Sequence, residues 1–187
     1  MIRLTSTISI PNILTLVRIL LTPVFVILLL RDHFTMALLV FGIAGISDGL
    51  DGLIARYFNQ RTTLGAYLDP AADKLLLTSS FVALAVLGVI PAWTTVIVIA
   101  RDVIIVLGLA ILMLTEKKYE VRPTLDSKCT TTVQILTVLI SLYDPVHLKL
   151  AMVYQAFLWG TALLTILSGL HYIYIGMNIL QEPQDGR

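Results

Sequence analysis

The sequence predicts an all-α integral membrane protein with six transmembrane helices, on three observations. The 187 residues are 57% hydrophobic and their mean hydropathy is +0.90, too apolar for an ordinary soluble domain. Apolar stretches close to the ~20 residues that cross a hydrocarbon core of roughly 30 Å recur along the chain. The links between them are short and carry charges, glycine and proline, which punctuate helices. The whole chain, 1–187, reads as a single transmembrane domain, with residues 1–11 as an interfacial N-terminal segment that mixes Ile and Leu with Ser and Thr.

In order, the first helix is expected over 12–30. It has no small-residue cleavage signature behind it and Arg18 interrupts it, so it reads as a retained helix, not a signal peptide. Arg31-Asp32-His33 separates it from a second helix over 35–57, and Asn59-Gln60-Arg61 turns the chain into a third over 64–87. The breakers between Gly88 and Pro91 lead to a fourth over 92–114. A polar link over 115–123 precedes the fifth, 125–142, and Asp144-Pro145 precedes the sixth, 146–176. Net charge is only +1, without the clustered basic footprint of a nucleic-acid binder, so no nucleic-acid partner is expected. The lone cysteine, Cys129, excludes an internal disulfide. Lys and Arg collect on one side, at Arg3, Arg56, Arg61, Lys117, Lys118, Arg122, Lys128 and Arg187, whereas the other side has Arg31 and Lys149, each near an aspartate. Cytoplasmic loops are enriched in these cations. Both termini are therefore expected to face the cytoplasm, in a bacterial inner (plasma) membrane.

Against this apolar background four aspartates stand out. Asp48 and Asp51 are three apart on the second helix, and Asp69 and Asp73 are four apart on the third, so each pair shares a helix face. Asp51 and Asp69 lie equally far in sequence from Gln60, with Asp48 and Asp73 nearly so. At about 1.5 Å per residue both pairs fall roughly 13 to 20 Å below the cytoplasmic turn. Ionisable groups inside a membrane segment are costly and by default functional. Four converging carboxylates need cations, of which Arg56 and Lys74 supply only part. Oxygen-only ligands suit hard divalent ions, and the pattern predicts a polar metal site opening to the cytoplasmic side, with two Mg²⁺ or Mn²⁺ ions able to clamp a phosphoryl group. Gly49, Gly52 and Gly65 permit close approach of a helix or of a flat phosphate-bearing ligand.

These residues resemble the signature of the CDP-alcohol phosphatidyltransferases: D-x-x-D-G-x-x-A-R, eight residues, then G-x-x-x-D-x-x-x-D. Asp48, Asp51, Gly52, Ala55, Arg56, Gly65, Asp69 and Asp73 occupy every position of it. The resemblance implies a six-helix enzyme that displaces CMP from CDP-diacylglycerol with an alcohol, often as a homodimer. It further implies that Asp48, Asp51, Asp69 and Asp73 bind metal, that Asp73 is also the catalytic base, and that Asp48, Gly52, Ala55, Arg56 and Gly65 meet the CDP group. The chemistry agrees. Displacement at a pyrophosphate needs charge neutralisation and an activated hydroxyl, which Arg56 and Asp73 are suited to provide.

The remaining intramembrane charges bear on the acceptor. Arg18, Lys74, Arg101, Arg122 and Lys128 are candidates for a pocket holding an anionic alcohol, although Arg101 can instead pair with an acidic residue and Arg122 and Lys128 can snorkel to headgroups. His33, His147 and His171 read as interfacial or packing residues, and Trp93 and the aromatic run 172–174 as an interfacial belt. The layout N-x-L-T-x-x-R from Asn12 to Arg18, D-P-x-A-D-K from Asp69 to Lys74 and the Arg101-Asp102 pair resemble the phosphatidylglycerophosphate synthases of the family, which implies glycerol 3-phosphate as first choice. The segment 122–134, with Ser127, Lys128, Thr131 and Gln134, is more similar to the CMP-forming cardiolipin synthases, which implies phosphatidylglycerol. A rival of another class is a divalent-ion carrier; carriers show two related halves with broken helices, and no such repeat is visible.

Overall fold

The computed structural model describes the backbone of residues 10–57, 63–114 and 125–181, and side chains there except at 10–12, 48–57, 63–70, 109, 112, 113, 125 and 180. Six α-helices account for it: α1 Ile10–Leu30, α2 Phe34–Tyr57, α3 Thr63–Val86, α4 Ala92–Leu114, α5 Leu125–Tyr143 and α6 Ala151–Gln181. Five agree with the expected spans to within two residues. The sixth begins and ends five residues later than the sequence suggests. His147 takes a left-handed φ of 54° and stacks its ring on Tyr154 at 3.5 Å, so the chain turns before the helix can start. At the far end Gly176 does not stop it, since a helical glycine costs only about 1 kcal/mol.

The N-terminal segment, the turn around Gln60 and the polar link before α5 lie outside the described residues. The two short links that are described show why the helices end where they do. After α1, Asp32 adopts φ 58° while its N–H donates to Leu29 O and the His33 N–H donates to Leu28 O, at 2.9 and 3.0 Å. After α3, Gly88 adopts φ 72° with the same pair of bonds, Gly88 N–H to Ala85 O and Val89 N–H to Leu84 O. Both are Schellman caps, which satisfy terminal carbonyls through one left-handed residue. Glycine takes that conformation freely, and aspartate is among the few others that tolerate it.

The chain divides into two compact units, Met1–Val89 with Ser141–Val146, and Ile90–Ile140 with His147–Arg187. In the first, α1 packs against both α2 and α3. Its buried stripe, Thr15, Arg18, Thr22, Phe25 and Leu29, follows the alternating three- and four-residue spacing of a helix seam and changes from polar to apolar along its length. Phe25 meets Phe41 of α2 with ring centroids 5.7 Å apart, and Ala37 and Ala44 flank Phe41 on the same buried face. Pro23 removes one backbone donor from α1, and the Thr22 hydroxyl donates to the Arg18 carbonyl beside it.

In the second unit α4 packs against α6, and α5 is tied to α6 by hydroxyls and an amide. Thr137 Oγ1 and Thr161 Oγ1 are 2.7 Å apart, Gln134 Nε2 donates to Thr165 Oγ1, and Thr130 Oγ1 donates to the Leu164 carbonyl. All five side chains are fully buried. Large aliphatics such as Leu16, Leu20, Val96, Val103, Leu163 and Leu170 lie exposed outside. Buried hydroxyls and amides beside an apolar core, with hydrocarbon outside, suit helices that associate in lipid through close packing and hydrogen bonds across helices. Among the described residues two helical stretches, Ile13–Leu30 and Ala151–Ile179, are long and apolar enough to cross a membrane.

Candidate active site

Helical backbone runs unbroken through every signature position: Asp48, Asp51, Gly52, Ala55 and Arg56 on α2, and Gly65, Asp69 and Asp73 on α3. The three-residue spacing of the first aspartate pair and the four-residue spacing of the second therefore do translate into shared helix faces. Asp73 is the one signature residue whose side chain is described. Its carboxylate is half-exposed, at 48%, and Oδ1 accepts a hydrogen bond from Arg18 Nη1 of α1. Arg18 is 1% exposed. Its place in the buried stripe of α1 explains how a guanidinium reaches a carboxylate on α3: both helices belong to one unit, and the stripe faces inward. Lys74 follows Asp73 on α3, partly exposed.

Among the described residues no group of three or more acidic, histidine or cysteine side chains is gathered for a metal; the side chains of Asp48, Asp51 and Asp69 lie outside that set. The donor chemistry nevertheless fits a hard cation. Asp73 presents an accessible carboxylate that already draws a positive charge, and the other members of the pattern are likewise oxygen donors.

Arg101 occupies a different setting, in the second unit. It is 3% exposed and its guanidinium is spread over three helices: Nη1 to Asp102 Oδ1 at 2.8 Å, Nη2 to Ser127 Oγ at 2.8 Å on α5, and Nη2 to Ser168 Oγ at 3.1 Å on α6. Tyr172 lies beneath it with the ring centroid 5.8 Å from Cζ. The alternative in which Arg101 pairs with an acidic residue thus has a concrete partner in Asp102. One turn away, His171 Nδ1 of α6 lies 2.5 Å from Asp126 Oδ2 of α5. Lys128 is exposed in the same unit, and Arg122 lies outside the described residues. Sequence reasoning singled out Ser127, and read Tyr172 as part of an interfacial belt and His171 as an interfacial or packing residue, but it did not single out Ser168 or the contact between His171 and Asp126. A serine in a long apolar helix carries no signal until its neighbours are known.

Between α1 and α3, beyond the Arg18–Asp73 pair, an apolar groove of about 440 Å³ is lined by Val26 and Leu30 on one side and by Thr78, Ser79, Val82, Ala83 and Val86 on the other.

Fold and site define a class: among the described residues, an all-helical protein with exposed aliphatic side chains, polar groups buried beside its apolar core, and the acidic pattern carried on two of its helices. The family model described as CDP-alcohol phosphatidyltransferase matches residues 8–167, and the chain belongs to that membrane-bound family. Among its relatives, a human cardiolipin synthase (CMP-forming) is 37% identical over 95% of this chain and 64% of its own length. A probable phosphatidylglycerophosphate synthase of Mycobacterium tuberculosis is 34% identical over 88% of this chain and 80% of its own. A cardiolipin synthase (CMP-forming) of Streptomyces coelicolor is 41% identical over 56% of this chain and 51% of its own. The chain spans just under two thirds of the human relative's length.

Proposed function

We propose that this chain synthesises a phospholipid by displacing CMP from CDP-diacylglycerol with an anionic alcohol. The observation that carries the reading is the complete signature, Asp48, Asp51, Gly52, Ala55, Arg56, Gly65, Asp69 and Asp73, on continuous helix within a chain that belongs to the family. Asp48, Asp51, Asp69 and Asp73 would hold two Mg²⁺ or Mn²⁺ ions, which supply charge neutralisation at the pyrophosphate. Arg56 takes a phosphate oxygen, and Gly52, Ala55 and Gly65 leave room for the cytidine diphosphate to lie against the helices. Asp73 accepts the proton of the acceptor hydroxyl as its oxygen bonds to the phosphorus that carries diacylglycerol. The bond from that phosphorus to the bridging oxygen breaks and CMP leaves with the electron pair. Among the five cations, Arg18 and Lys74 are the ones tied to Asp73, Arg18 by its contact with the carboxylate and Lys74 as the next residue on α3, and they are the ones assigned to the acceptor anion. Arg101, with Asp102, Ser127 and Ser168 around it, acts instead as a brace for α4, α5 and α6.

For the acceptor, phosphatidylglycerol is the better-supported choice, making the product cardiolipin. Two of the three relatives above carry the cardiolipin synthase name, and the Arg122-to-Gln134 segment is similar to that group. This reverses the order in which glycerol 3-phosphate comes first. Glycerol 3-phosphate remains the second reading on the strength of the mycobacterial relative. The charge asymmetry of the links supports six membrane crossings with both termini and the site on the cytoplasmic face of a bacterial inner membrane, and exposed apolar helix faces suit a homodimer.

The deciding experiment supplies purified full-length protein with Mn²⁺, CDP-diacylglycerol and either phosphatidylglycerol or glycerol 3-phosphate, and identifies lipid product and released CMP. Cardiolipin formation is expected. Phosphatidylglycerophosphate would establish the second reading, and divalent-ion flux in liposomes without CMP release would replace both with a carrier.

A further inference from the structure

Arg18 belongs to no position of the signature, yet its buried guanidinium ends on Asp73. An arginine 1% exposed among helices is costly unless an anion compensates it. The Asp73 carboxylate, on a neighbouring helix, has the converse need for a cation, and the contact between them contributes to both. A divalent ion held by Asp73 would change the balance, because two cations would then compete for one carboxylate and repel each other.

We infer that Arg18 competes with a divalent ion for Asp73: its guanidinium holds that carboxylate, and a divalent ion taking the carboxylate would release it to the anionic group of the acceptor. The inference rests on the di-metal reading proposed above. It makes Arg18 a positioning residue whose grip and the metal's are mutually exclusive, and by linkage each weakens the other by the same factor. The anchoring is suited to this. Arg18 sits one residue turn before Pro23, and Thr22 bonds to its carbonyl, so its backbone is held while the long side chain can be redirected.

The sign of one measurement separates this role from a supporting one. If Arg18 merely oriented Asp73 for the metal, its removal would weaken metal binding, as loss of groups that orient metal ligands does. If Arg18 competes, removal tightens it. The experiment measures free Mn²⁺ by electron paramagnetic resonance with the full-length protein in lipid nanodiscs, for wild type, Arg18→Met, Arg18→Lys and Asp69→Asn. Arg18→Met is expected to bind Mn²⁺ about tenfold more tightly, the size of one charge-assisted hydrogen bond. Its metal-free form is expected to melt earlier than wild type, with a larger gain on adding Mn²⁺, and Arg18→Lys should stay near wild type. Independently, the Arg18 Nε–H resonance of the wild-type protein is expected to move on Mg²⁺ saturation, a readout that stands even where Arg18→Met fails to fold. Equal or weaker Mn²⁺ binding by Arg18→Met, or a stationary Arg18 resonance while Mg²⁺ binds, overturns the inference and leaves the metal site intact. Mn²⁺ binding that Asp69→Asn leaves unchanged removes the di-metal reading and this inference with it.

Discussion

Two buried arginines differ in what surrounds them, and their variants should differ accordingly. Arg101 has Asp102, Ser127, Ser168 and Tyr172 as partners on three helices. Replacing it with methionine strands those polar groups, and Arg101→Met is expected to cost about 1.5 to 3 kcal/mol, read as a lower midpoint of unfolding in detergent. Lysine there recovers little, since a point charge does not reproduce the planar fork. A wild-type melting curve for Arg101→Met would refute the bracing role. Asp73, by contrast, is half-exposed and is the base of the proposed mechanism. Asp73→Asn keeps the shape and removes the base, so it is expected to lower CMP release by about 10² to 10⁴-fold while the protein still folds. Residual turnover within a few-fold of wild type would assign the proton to another group. These roles were unequally legible. The aspartates are visible from spacing alone, whereas the difference between Arg18 and Arg101 depends on which residues of other helices lie beside each.

At the scale of elements, the helices are long, and their ends were largely readable because the breakers are strong. Gly88 and Asp32 terminate α3 and α1 through the same cap geometry. The exception is the start of α6, where Asp144-Pro145 signals a break but the turn extends to Leu150, with His147 in a left-handed conformation that its sequence neighbours do not announce. The α5–α6 seam offers a test of what holds helices together in this protein. Thr137→Val alone leaves the Thr161 hydroxyl without its partner and should cost roughly 0.6 kcal/mol and at most about 1.7. Thr137→Val combined with Thr161→Val replaces both partners with near-isosteric apolar groups, and the double variant should cost less than the two singles summed. Additive losses in that cycle would show that the hydroxyls do not interact.

For the whole molecule, the informative feature is that exposed aliphatic side chains accompany polar groups buried beside the apolar core. Aliphatics such as Leu107, Leu114, Leu163 and Leu167 are exposed, while threonines, serines, Gln134 and two arginines are buried. The charges of the links favour the orientation proposed above, which is directly testable. With Cys129, the lone and exposed cysteine, replaced by alanine, a cysteine introduced at His33 is expected to react with an impermeant maleimide added to intact cells. One at Lys118 is expected to react only after the membrane is opened. The reverse pattern would turn the protein over and move the site to the opposite face. What the amino-acid sequence alone determined is the class of fold and the place of the candidate site: apolar length sets the helices, and three- and four-residue spacing sets where the aspartates fall along α2 and α3, because both depend only on local helical periodicity. What only the tertiary structure decided is the fate of the cations. Arg18 reaches Asp73, and Arg101 reaches Ser127 and Ser168, through contacts between helices far apart in sequence. No local periodicity encodes those partnerships, since they follow from which face each helix turns toward its neighbours.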